Sequence, residues 1–374
     1  MIDYVQVRNA NFEIIGIIDT AKSIIWHKKY FGVGDFEIYA QATPAHANLL
    51  QRGTFITRLN DDEVGIIERI EVTNNAQDGL MIVATGFFAK SILGRRIIYK
   101  LSGHQNSATI LRGNVESAAR ALVANNATAC TFNTKRNISC LRLGAHSGST
   151  KIIVDENGNA ADKQVTNDNL LDYTDALLQE YLMSAKIVLS SDETMLEYVC
   201  FEGIDRSTDN ASGIDSVIFS TDFDNLTDSN YISDEKNVRN MALIGGEGSG
   251  LDRFYSSIES AATGLARRET FIDASSIQRK YTDDQEEEHE YTDAEYTELL
   301  NSRGKLDLAQ MILIESFSGT INTTSEMFVL GIDYALGDIV TIQDNQIGVY
   351  ANVRITETTE VQDESGYSVS LAFE

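Results

Sequence analysis

Every residue type that commonly does chemistry is present in this chain, so spacing decides what the residues can do. Gly246-Glu-Gly248-Ser-Gly250 has the glycine density of a phosphate cradle. Such cradles close with Lys-Ser/Thr, whose ammonium and hydroxyl meet the phosphates and their metal. No such pair follows, and Glu247 would set a carboxylate against the phosphates, so the stretch reads as a loop between two strands. Asp155-Glu-Asn157-Gly-Asn159 has the rhythm of a calcium loop. Ala160 stands where the sharp turn requires Gly, and Thr166 where a bidentate Glu would close the site, so a hairpin turn is expected. His27, His46, His104, His146 and His289 never form the His-Glu-x-x-His spacing that grips zinc. Cys130, Cys140 and Cys200 are too few and too unevenly spaced for a disulfide framework or a zinc site. No Gly-x-Ser-x-Gly elbow is present. Asp and Glu are so abundant that a glycosidase pair is neither picked out nor excluded. The sequence names no catalytic, cofactor-binding or metal-binding residue, and the expectation is a protein that is not an enzyme.

Charge is more informative. Asp and Glu total 56 against 30 Lys and Arg, a formal charge of −26 at pH 7. A grip on nucleic acid works by cations displacing the counterions of phosphate, and an anionic membrane surface asks for the same sign. Both are disfavoured. An acidic protein can still stand beside DNA if its task is to let the polymer pass without sticking. No apolar run approaches the ~20 residues of a bilayer span. The start, Met-Ile-Asp-Tyr-Val-Gln-Val, lacks the basic and apolar regions of a signal peptide. Folding in a reducing cytoplasm, without a membrane anchor, is the expectation.

The elements that must position any function are mainly strands. Tyr4–Val7, Phe12–Ile18, Ser23–Tyr30 and Asp35–Ala40 are short runs separated by turn residues, the last with the alternation of a half-buried strand. Pro44 opens a short helical step that ends near Leu50. From Gly53 the chain reads as three strands joined by two polar turns, closing at Phe87. A second copy of this pattern runs from Gly337 to Phe373. Each copy has a Gly just before its first strand and another near the start of its second (Gly65, Gly348), where a bulge or bend is expected. Between the copies the period changes. Helices are expected over Asn114–Val123, capped by Asn114, and over Asn169–Ala185, followed by a hairpin of Lys186–Ser190 and Leu196–Phe201. Strands return at Val217–Ser220, Val238–Ile244 and Arg267–Asp273. Residues 281–298 hold nine acids and no Lys or Arg, and Thr292-Asp-Ala-Glu295 is a capping box that starts a helix towards Gln310.

These readings define a mainly β fold with α+β insertions. Residues 1–105 form a first β-barrel module, 106–195 a lateral α+β domain, and 196–274 with 310–374 a second β-barrel module. An acidic helical insert occupies 275–309.

Several segments, in consistent order along the chain, resemble the hub proteins at the tail tip of long-tailed bacteriophages, the compact hub form of the tail-associated lysin family. They include Ile17-Ile18-Asp19 through Trp26, Gly34-Asp-Phe-Glu-Ile-Tyr39, Lys90-Ser-Ile-Leu-Gly-Arg-Arg-Ile-Ile98, Phe223-Asp-Asn-Leu226, Thr263-Gly-Leu-Ala-Arg-Arg-Glu269 and Leu336-Gly-Asp-Ile-Val-Thr341. The resemblance implies a homotrimeric ring in which two similar barrels per subunit offer six near-equivalent positions to a sixfold tail tube. It implies, as partners, a distal tail protein ring, the tape-measure protein, and receptor-binding or tail-fibre proteins. DNA would pass through without specific binding. The place implied is the tail tip of the virion, after assembly in the host cytoplasm. Longer relatives carry peptidase or fibre-like regions after the hub, and this chain is expected to lack them. Two alternatives remain open: the hub of a contractile tail-like particle of bacteriocin or type VI kind, and a tail-associated peptidoglycan hydrolase.

Overall fold

The computed structural model describes residues 4–374 except 60, 77–78, 103–104, 156–157, 283–286, 313, 323–326 and 347. The chain opens with β1 (Val5–Arg8), β2 (Ile14–Ile18), β3 (Ala21–Lys29) and β4 (Asp35–Gln41). A one-and-a-half-turn helix follows, α1 (Pro44–Leu49). Pro44 sits in its first turn, where a missing N–H costs nothing, and the Thr43 hydroxyl accepts from the His46 amide as cap. Next come β5 (Phe55–Arg58), β6 (Gly65–Asn75) and β7 (Gly79–Phe88). The strands are amphipathic by alternation, and their inward residues, among them Val5, Ile18, Trp26, Phe36, Ile38, Ile82 and Phe88, form one core.

The lateral region contains the hairpin β8 (Lys100–Ser102) and β9 (Gln105–Ser107), then β10 (Thr109–Leu111), α2 (Val115–Val123), β11 (Leu141–Leu143) and β12 (Lys163–Val165). It closes with α3 (Leu170–Glu180), β13 (Ser184–Leu189) and β14 (Leu196–Phe201), past the boundary expected at 195, because among the described residues β14 is hydrogen-bonded to β13 and β11 and not to the second module's strands. Asn114 caps α2 through its side chain, as expected. Strand β14 lies between β11 and β13, and Leu122, Leu170, Leu177, Ile187 and Tyr198 join a second core. The helix expected to reach Ala185 stops at Glu180. Leu182 turns left-handed (φ 53°), and Ser184 and Ala185 instead pair with Phe201 and Cys200. Cross-strand partners win over helical periodicity there.

The remaining strands are β15 (Ile218–Ser220), β16 (Leu226–Asp234), β17 (Met241–Gly245), β18 (Tyr255–Ile258), β19 (Glu269–Asp273), β20 (Lys280–Thr282) and β21 (Glu288–Glu290). Helix α4 (Asp293–Leu308) then leads to β22 (Ile314–Ile321), β23 (Ile339–Asp344), β24 (Val349–Asp363) and β25 (Gly366–Phe373). The capping box of Thr292 and Glu295 is formed, with both reciprocal hydrogen bonds. Met241–Asp273 was expected within the second module's sheet. Among the described residues its strands pair only with one another, in the order β18-β17-β19, and pack under α4 through Ala242, Ile244, Ile272, Tyr296 and Leu300. The physical reason is their place in the chain. They belong to an excursion between β16 and β22, with its own helix to cover one face. Gly304 lets α4 approach, since a Cβ there would come within 2.4 Å of Ile244. The acidic stretch also contains more than a helix. Lys280 pairs with Glu288 (3.1 Å), and Tyr281 stacks on His289 at 5.3 Å, closing the β20–β21 hairpin.

One sheet of thirteen strands joins both ends of the chain. Its path is β16-β22-β25-β24-β3-β4-β7-β6-β5-β1-β2, with β23 and β15 carried on the other end of the long β24. Phe219, Leu226, Phe317, Val340, Ile342, Leu371 and Phe373 make a third core beneath the C-terminal strands.

Candidate assembly interface

The two three-strand repeats share a hydrogen-bond pattern at residue level. Gly53 and Gly337 precede β5 and β23 with φ of 87° and 93°, a region open to Gly and strained for other residues. The Gly53 amide donates to Ile67 O (2.7 Å) and the Gly337 amide to Ile355 O (2.9 Å). In return the Ile67 amide donates to Thr54 O, and the Ile355 amide to Asp338 O. Immediately after Ile67 and Ile355 both second strands bulge by one residue against the third. The match therefore sets Ile67 against Ile355 and Arg69 against Glu357. The glycines of the second strands do not correspond. Gly65 lies within β6 beneath the Phe36 ring, whereas Gly348 turns into β24 with φ 71°.

The structure extends the repeat by a hairpin that the sequence conceals. Strand β4 flanks β7 and pairs with β3, just as β22 flanks β25 and pairs with β16. Each hairpin carries a register shift near the start of its first strand. The repeated unit is thus four strands, β3-β4-β7-β6 and β16-β22-β25-β24. The second hairpin is interrupted by the whole excursion that ends with α4, so no local sequence signal marks it.

The two units are joined inside the chain by β24 on β3, in a register running from Glu357 opposite Lys29 to Asp363 opposite Ser23. On one face His27 bridges the seam, with Nδ1 2.9 Å from Asp35 and Nε2 3.1 Å from Glu357. The Glu357 hydrogen bond holds the His27 pKa above its ordinary value, with Asp35 adding to it and burial opposing; Glu357 is lowered in turn by His27. Lys29 stands 3.6 Å from Glu357. On the other face Trp26 is fully buried, with the Arg58 guanidinium 5.3 Å from its ring centroid. Arg58 bridges Glu360 and Asp61 (3.0 Å to the latter), Lys28 also reaches Asp61 (2.8 Å), and the Tyr367 hydroxyl donates to Glu360.

Burial would push the Asp61 carboxyl up, but Lys28 and Arg58 outweigh it and hold it down at about 2. Glu63, packed against the same group, goes the other way. Burial raises it to about 7, with Lys28 only partly opposing. Tyr30 closes the end of the seam. Its amide donates to Thr356 O (2.7 Å), Arg354 lies over its ring at 5.2 Å, and Gly337 leaves room for that ring.

The residues singled out for chemistry are scattered. Gly246–Gly250 is the connection between β17 and β18, a strand-to-strand loop as expected. Asp155 turns its carboxylate onto the Asn159 amide (2.8 Å), and Val154 pairs with Ala160, giving the expected hairpin turn; 156 and 157 lie outside the described residues. His46 is turned to Gln41 O and Thr20, His146 to Glu116 at 3.4 Å, and His289 to Tyr281. His104 lies outside the described residues. Cys130 and Cys200 are buried and Cys140 partly so, and none of the three forms a disulfide. Among the described residues no cluster of three His, Cys, Asp or Glu could hold a metal ion. No helix there is long and apolar enough to cross a membrane. The structure draws together the residues of the seam, none of which the sequence marked as functional.

Two solved structures share this architecture over nearly the whole chain. One is a tail protein from Neisseria meningitidis MC58, at TM-score 0.58 and 12% identity, covering 99% of this chain and 95% of that one. The other is the 43 kDa tail protein of prophage MuSo2 from Shewanella oneidensis, at TM-score 0.55 and 11% identity, covering 99% and 98%. The fold is that of phage tail proteins. Among curated proteins none matches the sequence. Residues 4–373 match the family model of the siphovirus ReqiPepy6 Gp37-like proteins, and the chain belongs to that family.

Proposed function

We propose that the chain is the hub of the tail tip, three copies closing the end of the tail tube as a ring. The observation that carries this is the doubled four-strand unit joined to itself in one register. Two near-equivalent units per subunit allow three subunits to offer six positions, which matches a sixfold tube without requiring six chains. The partners proposed with it are the distal tail ring above, the end of the tape-measure protein within, and receptor-binding or fibre proteins outside. On host attachment the ring would open for tape measure and DNA.

The sheet face turned away from the cores carries Asp35, Glu37, Glu71, Asp234, Glu357 and Asp363, against His27, Lys29 and Arg69. Lining the channel with this acidic face would disfavour adhesion of phosphate during ejection. The role needs no catalysis. The two four-strand units, joined by β24 on β3, are proposed to form the ring, with the lateral domain and the excursion of β17–β21 and α4 outside it.

Particle imaging of the purified chain, with its mass in solution, tests the reading. A threefold ring of six lobes is expected, and a compact monomer at all concentrations refutes it. Incubation with peptidoglycan should release no fragments; release would transfer the protein to the hydrolases.

A further inference from the structure

The internal seam predicts the one between subunits. Strand β16 ends the path of the large sheet, and β6 from Arg69 onward has β7 as its single partner strand among the described residues. By the residue correspondence above, β6 is to the first unit what β24 is to the second, and β16 is to the second what β3 is to the first. Resting on the ring reading, we infer that β6 of one copy pairs antiparallel with β16 of the next, in the register of β24 on β3. The proposal commits to a second copy of this chain as the occupant of both edges.

Carrying the register across sets Arg69 opposite Asp234, Val72 opposite Tyr231, and Thr73 opposite Asn230. The chemistry of these positions supports the match. Val72 is 55% exposed and Tyr231 46%, whereas their counterparts in the closed seam, Glu360 and Trp26, are 4% and 0% exposed. Large apolar side chains at just these edge positions are what a strand pairing would cover.

Charge adds a second argument, because its order is reversed between the two seams. Inside the chain the β24 residue is acidic (Glu357) and the β3 residue basic (Lys29). At the free edges the β6 residue is basic (Arg69) and the β16 residue acidic (Asp234). A foreign β6 laid on β3 would set Arg69 against Lys29, and a foreign β16 laid on β24 would set Asp234 against Glu357. Opposite charges therefore meet only when each strand finds its proper partner. The reversal steers first unit to second unit across copies and protects the internal seam from exchange. In the isolated chain Arg69 turns to Glu71 and Asp234 to Lys236 (3.2 Å), contacts that pairing would exchange or share. The interface is head to tail, the kind that gives a ring where the rotation from copy to copy closes.

The test uses the full chain, with assembly followed by light scattering across concentration and folding by circular dichroism. Arg69→Asp and Asp234→Arg should each raise the concentration for half-assembly about tenfold or more, and the double swap should recover most of the loss. With Thr73→Cys and Asn230→Cys together in one chain, a mild oxidant should link subunits covalently, while Thr73→Cys with Asp234→Cys should not. A wild-type chain that never assembles removes the ring reading and this seam with it. A wild-type ring left undisturbed by both single reversals, or linked equally well by the mismatched cysteines, overturns the seam and leaves the ring standing.

Discussion

Replacing Glu63 by Gln should stabilise this protein, and only where the carboxyl would ionise. Glu63 is held beside Asp61 and Lys28 where the first module meets β13, through the bridge of Glu63 with Val188. Its pKa moves from 4.5 to about 7 on folding, chiefly through burial. The sign follows from proton binding. The folded state holds this proton more tightly than the unfolded chain, so the stability it contributes is full below 4.5 and is lost as pH rises through about 7. A shift of about 2.5 units at 1.36 kcal/mol each gives roughly 3 kcal/mol lost by about pH 8. That figure already contains the attraction of Lys28, because the shift is a net one. Urea unfolding of wild type and Glu63→Gln should give nearly equal stabilities at about pH 4.5 and differ by roughly 3 kcal/mol at about pH 8, with Gln the more stable. Groups common to both proteins cancel in the difference. A gap that is the same at both pH values would refute the reasoning, for it would mean that the carboxyl does not titrate between them.

Two further outcomes test the seam between the units. Substituting His27 by Asn should remove a stabilisation that is full below about 6.5 and lost as pH rises through the raised His27 pKa, so wild-type and variant melting curves should converge in the alkaline range. Convergence in acid instead would show that the imidazolium is not held by Glu357 and Asp35. Gly337→Ala should cost distinctly more than Gly53→Ala by chemical denaturation. Both impose a left-handed φ, but only at 337 does the new Cβ fall 2.3 Å from the Tyr30 ring, adding about 1–3 kcal/mol of overpacking. Equal costs would mean that Tyr30 yields freely.

Much of the architecture was legible in the residues themselves. Alternation set the strands of the first module, Asn114 and the Thr292–Glu295 box set the starts of two helices, and Gly53 and Gly337 marked the repeat because a left-handed turn at both places favours glycine. These signals are local, so a chain read in order contains them. The pairing of β24 with β3 spans most of the sequence, and the β16–β22 hairpin is split by a folded excursion; neither leaves a mark within any short window. The misread glycines of the second strands have the same origin, since only the common bulge after Ile67 and Ile355 fixes the true register. Composition fixed how acidic the protein is, but hydrogen-bond register alone decided which carboxylates share a sheet face and which meet a cation. Long-range pairing brings His27 to Glu357 and sets Arg69 and Asp234 on opposite free edges, and that is decided by tertiary structure because contacts between distant residues form only once the whole sheet has closed.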